Sequence, residues 1–237
     1  MAVAVLVVGV GCDGKKPEEC KAITDAANAD LTALKVAAAV KPATTKERAD
    51  AARATADAAD KLVVNLGKKG PTTAELQKAS GDYQAAGKAI ANAARDLADT
   101  LDGLGKMEAK IKPEAADPDR KILTADLEKV KKRCADKPAP ECKKLTPLLA
   151  SAAAMKQEQL EKMDGDLSAI VVKDTALAAL VTTLRGSVAS LAHTLRDQVD
   201  TVAEMKSLDV KAKTDALDAA MAKEAPISAS LKAFCGK

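Results

Sequence analysis

Apolar residues recur at intervals of three and four along almost the whole chain, the period of amphipathic helices. In the first stretch, from about Pro17 to Val40, Cys20, Ile23, Ala27, Leu31, Leu34 and Ala38 share one side. Pro17 suits a first helical turn and Pro42 marks a stop. A second helix starts near Thr44 or Thr45 and carries Ala49, Ala52, Ala56, Ala59, Val63 and Leu66, a heptad seam made chiefly of alanine. Gly67 to Pro71 breaks it. Thr72 or Thr73 can cap a third helix, with Leu76, Tyr83, Ile90, Leu97, Leu101 and Leu104 on its inner stripe, ending between Gly105 and Lys112.

A shorter fourth helix has Leu123, Leu127, Val130 and Cys134. A fifth carries Leu145, Leu149, Ala152, Leu160 and Met163. Asp164-Gly165-Asp166 offers it a stop, yet the period continues in phase through Leu167 and Ile170, so residues 140–206 read equally as one helix or two. The stripe then runs through Leu177, Val181, Leu184, Val188, Leu191, Leu195, Val199 and Val202. A last helix over about 208–235 holds Leu217, Met221, Ile227, Leu231 and Phe234, with a kink expected at Pro226. Long periodic segments with short connections predict an all-α fold: an elongated antiparallel helical bundle over 17–237, with coiled-coil-like, Ala-rich packing. The loop at 112–119 is the best place for a subdivision.

Composition narrows the chemistry. Alanine, the best helix former, occurs 52 times, Trp is absent, and Phe, Tyr and His occur once each. That leaves no aromatic platform for single-stranded nucleic acid and no histidine set for a catalytic metal. The 37 Lys and Arg nearly balance 34 Asp and Glu, a net +3, which also argues against nucleic acid as a partner.

The amino terminus departs from the helical period. Ala2 to Val10 is an unbroken apolar run, followed by Gly11, Cys12 and the polar Asp13-Gly14-Lys15-Lys16. As a helix it would span about 15 Å, roughly half a bilayer core, which suits the apolar region of a signal peptide. Val8-Gly9-Val10-Gly11-Cys12 resembles the lipobox of bacterial lipoproteins. Gly9 stands where that family usually has Leu, and no basic residue precedes the run, so Met1 reads as an internal methionine of a longer frame. The resemblance implies a signal peptide at 1–11, a lipid on the Cys12 thiol and a short tether at 12–16. It also implies a place in the bacterial envelope, anchored to the inner or outer membrane.

Five cysteines are present. With Cys12 acylated, four remain, an even set that suits two disulfides outside the cytoplasm. Cys134 and Cys142 flank a turn and can clamp it, which leaves Cys20 for Cys235. A rival pairing stays open: Cys12 and Cys20 have the same spacing as Cys134 and Cys142, and would leave Cys235 free.

The remaining candidates are sparse. His193, Asp197, Asp200 and Glu204 share one helix face, but His193 lies about 200° round the helix from Leu191. That face reads as solvated, and the sequence assigns no catalytic residue, metal ligand or cofactor. Lys129, Lys131, Lys132, Arg133, Lys137, Lys143 and Lys144 surround the cysteine turn, diluted by Glu128, Asp136 and Glu141. They read as a solvated tip first, and as a contact for a partner or anionic headgroups second. Asp174 falls on the seam between Ile170 and Leu177, the footprint expected of a site inside a bundle. The sequence thus predicts a lipid-anchored, non-catalytic structural or protein-interaction bundle. Its partners are the membrane, through the lipid, and an unidentified protein. The alternative is an envelope module that binds a small ligand or metal within the bundle.

Overall fold

The computed structural model describes residues 16–40, 42–150 and 154–236. The expected signal peptide at 1–11, Cys12 and the expected tether up to residue 15 lie outside these. Among the described residues every regular element is helical. The chain divides into two compact units: Met1–Gly105 with Leu208–Lys237, and Lys106–Ser207.

The first unit is built on α1 (Lys16–Ala39), α2 (Thr45–Gly67), most of α3 (Ala74–Lys110), α8 (Val210–Ala222) and α9 (Glu224–Cys235). α2 begins at a capping box. The Thr44 hydroxyl accepts the Glu47 N–H at 3.2 Å, and the Glu47 carboxylate accepts the Thr44 and Ala43 N–H groups at 3.1 and 2.7 Å. These bonds satisfy orphan donors at the helix start. The Ala43 bond, then the Thr44 bond, holds the Glu47 carboxyl below its ordinary range.

Ala49, Ala52, Ala56 and Ala59 are all buried, so the alanine seam does face inward. Its last turns rotate slightly: Leu62 is buried and Val63 only half-buried. The contact with α3 is close. A Cβ placed on Gly87 would sit 2.7 Å from Val63 Cγ2 and 3.3 Å from the Ala59 carbonyl. Outside the seam, Asn65 donates to Asp30 at 3.0 Å, and Arg53–Asp102 and Arg95–Asp60 pairs link α2 to α3.

The final segment is not one helix kinked at Pro226. It breaks at Lys223, and Pro226 falls in the first turn of α9. Proline lacks the N–H that a first turn leaves unbonded anyway, so it fits there without loss. At the other end, Ala38, expected on the inner stripe of α1, is exposed.

The second unit contains a 3-10 turn (Pro113–Ala116), α4 (Asp117–Asp136), α5 (Cys142–Leu148), α6 (Gln157–Ser168) and α7 (Thr175–Ser207), with α4 and α6 both packed on α7. The expected loop at 112–119 is thus largely helical. Among the described residues of 140–206 there are three α-helices, not one or two. α5 ends just beyond Pro147, while Asp164-Gly165-Asp166, offered as a stop, lies inside α6. Ala152 lies outside the described residues. Leu123, Leu127, Val130, Leu145, Leu149, Leu160, Met163, Leu167, Leu177, Val181, Leu184, Val188 and Leu191 form the core. Leu195 is half-buried and still packs on this core; beyond it the predicted stripe fails, with Val199 and Val202 exposed and Thr201 buried instead. By length and composition alone, one stretch within Thr175–Cys235 is apolar enough to cross a membrane. α7, inside it, spends Leu177 to Leu191 on the core of its unit.

Candidate functional site

At one end of the first unit, three helix ends are tied together. Cys20, in the second turn of α1, is bonded to Cys235 at the end of α9, with Cα atoms 5.7 Å apart. One residue earlier, the Glu19 carboxylate accepts the Thr72 N–H at 3.2 Å and the Thr73 hydroxyl at 2.9 Å, and also the Thr72 hydroxyl and Thr73 N–H. The Thr72 hydroxyl, then that of Thr73, holds Glu19 at about 2. A carboxylate before the first turn of α3 also complements the positive end of that helix.

Deeper in this unit lies a polar cluster that the sequence reading missed. Tyr83 is fully buried, and its hydroxyl donates to Glu224 Oε1 at 3.4 Å. Burial chiefly pushes the phenol up to about 12, while a Ser228 hydrogen bond pulls the other way. Glu224 is itself only 5% exposed, and burial raises its carboxyl against the opposing pull of Tyr83, Ser228 and the charge of Lys35. The signal was present: Glu224 precedes Ile227 and Leu231 by three and seven, on the inner stripe of α9.

The second unit hides a comparable group. Asp126, 5% exposed, accepts from Lys129 Nζ at 2.7 Å and from the Ser187 hydroxyl at 2.5 Å. Those bonds, Lys129 first, lower its carboxyl. Asp126 also sits on stripe phase, three after Leu123 and four before Val130. Each buried carboxyl is thus engaged by neighbours from its own unit.

Asp174 is not a buried seam residue. Its carboxylate accepts the Leu177 N–H at 2.7 Å at the start of α7, and Arg133 reaches it at 2.5 Å. The Leu177 bond is the main cause of its lowered carboxyl. This is helix capping, and it explains why an acid falls on the apolar phase. His193 is well exposed, with Nδ1 at 3.2 Å from Asp197 Oδ2. Asp197, Asp200 and Glu204 border a shallow groove with Lys110 and Gln198. Among the described residues, no three His, Cys, Asp or Glu side chains converge as a metal site would require.

The cysteine turn of the second unit is clamped by Cys134–Cys142, with Cα atoms 5.6 Å apart. Of the seven cations around it, Lys129 pairs with Asp126, Lys131 with Glu128 at 2.8 Å, and Arg133 with Asp174. Lys137 contributes to the field at Asp174. The Glu141 carboxylate accepts the Lys173 N–H at 3.2 Å. Beside the clamp is a groove of about 630 Å³ between α4, the turn and α5.

No family model, curated protein or solved structure matches this chain.

Proposed function

We propose that the chain is a lipid-anchored, non-catalytic interaction protein of the bacterial envelope, with Cys12 as the lipid attachment point. The cysteine arithmetic carries this reading: Cys20 is bonded to Cys235 and Cys134 to Cys142, so the lipobox-like Cys12 keeps its thiol for acylation. Two disulfides also favour an oxidising compartment. The reading includes an elongated form with antiparallel, coiled-coil-like packing, drawn from the three-four stripes and testable by small-angle scattering.

The alternative, a module holding a small ligand or metal inside the bundle, draws on the buried carboxyls. It is the weaker reading, because Glu224 is met by Tyr83 and Asp126 by Lys129 and Ser187.

Intact-mass measurement of the membrane-extracted protein tests the anchor. The expected mass is that of a chain beginning at Cys12 and carrying acyl groups, and Cys12→Ala should leave an unprocessed precursor. A free Cys12 thiol in membrane-derived protein refutes the reading.

A further inference from the structure

We infer that the groove beside the Cys134–Cys142 clamp docks a protein segment that presents an apolar side chain flanked by carboxylates. This rests on the interaction-protein reading above and names the kind of partner. The lining supplies both halves of the chemistry. Pro138, Ala139 and Pro140 give it an apolar surface, with Leu149 almost wholly buried at its edge; α5 contributes Lys143, unpaired among the described residues, and Lys131 of α4 lines it while paired with Glu128. Lys132, Lys143 and Lys144 make no ion pair or side-chain hydrogen bond among the described residues. Around the turn seven cations meet five carboxylates, because Asp126 and Asp174 join Glu128, Asp136 and Glu141 in pairing with or facing them. The excess is therefore cationic, and an acidic partner is the complement.

Two features favour a polypeptide over a membrane surface. A bilayer offers charge at its headgroups but apolar groups only at the acyl boundary beneath them, which suits a protruding apolar surface better than a groove. A chain segment offers both at once, as in recognition of amphipathic helices. The groove is also held ready. The disulfide closes a loop with a sequence separation of 8, and that loop contains Pro138 and Pro140, so little backbone freedom is left to lose on binding.

The test is an anisotropy titration of the intact chain, extracted in neutral detergent with its disulfides oxidised. The probes are two labelled amphipathic peptides of equal length, one of Leu and Glu and one of Leu and Lys. The acidic peptide should bind and the basic one should not. Lys143→Glu with Lys144→Glu should weaken binding at least about tenfold while leaving the circular dichroism unchanged, and added salt should weaken it as well. Equal binding of the two peptides, or indifference to the double substitution, overturns the assignment. So does capture by phosphatidylglycerol vesicles that the double substitution abolishes while the acidic peptide fails to bind; that outcome transfers the surface to lipid. If Cys12 proves acylated and the acidic peptide still fails, the groove assignment alone falls. A free Cys12 thiol removes the anchored reading and leaves the peptide result to be judged by itself.

Discussion

In the first unit alanine shares the helix contacts with larger side chains: Ala27, Ala49, Ala52, Ala56, Ala59, Ala91, Ala94 and Ala98 are buried beside Ile23, Leu62, Leu66, Tyr83 and Ile90. In the second, the same periodicity is filled by Leu, Val and Met. Apolar burial scales with the area removed from water, so each alanine contributes much less than a leucine. What alanine allows instead is close approach, as at Gly87 against Ala59 and Val63. At those alanine positions the first unit gains less from burial, which leaves more for other ties to do. The disulfides match that difference. The first unit is closed across a sequence separation of 215, the second across 8.

The strongest test of this contrast removes one disulfide at a time. In the chain-entropy picture, the Cys20–Cys235 bridge contributes roughly 5 kcal/mol and the short Cys134–Cys142 bridge roughly 2.5 kcal/mol. Cys20→Ser with Cys235→Ser should therefore lower resistance to denaturant about twice as much as Cys134→Ser with Cys142→Ser. The reverse order, measured by urea unfolding, would show that α9 holds by packing and that the long bridge adds little.

A smaller test uses two glycines of α3. Gly87→Ala should destabilise by about 1 kcal/mol, because the new methyl meets Val63 and the Ala59 carbonyl and outweighs alanine's better helix propensity. Gly81→Ala, with nothing within 4 Å of the added carbon, should stabilise by about 1 kcal/mol. Gains at both positions would mean that α2 and α3 do not approach as closely as the alanine seam demands.

The same contrast explains what could be read from sequence. The stripes from Cys20 to Leu34 and from Leu177 to Leu191 are regular because one face of each helix is buried throughout, and periodicity reports burial directly. It misleads where polarity has a local cause. Asp174 has seam phase because a helix cap and an apolar residue three positions on share that side. Val199 and Val202 keep the phase after the core has ended. The break at Lys223 carries no glycine, and proline marks it three residues late because its ring belongs inside the first turn. The clamp at Cys134–Cys142 followed from spacing. The groove beside it did not, since a concave surface depends on how α4 and α5 meet and not on either sequence alone.

The finest distinction is the sign of two carboxyls in the first unit. Burial raises Glu224, so in the window between 4.5 and its native value the folded chain keeps a proton that the unfolded chain has lost. Stability must then fall as pH rises through that window and stay lowered above it. Glu19 behaves oppositely: held at about 2, it stabilises above 4.5 and loses that contribution as pH falls toward 2. Glu224→Gln keeps an acceptor for Tyr83 and removes the charge. It should raise stability at neutral pH, with the gain shrinking to nothing as pH approaches 4.5. Urea unfolding of both proteins at a series of pH values decides it. Parallel curves would mean that Glu224 ionises at no cost, and that Lys35 and Ser228 solvate it as well as water does.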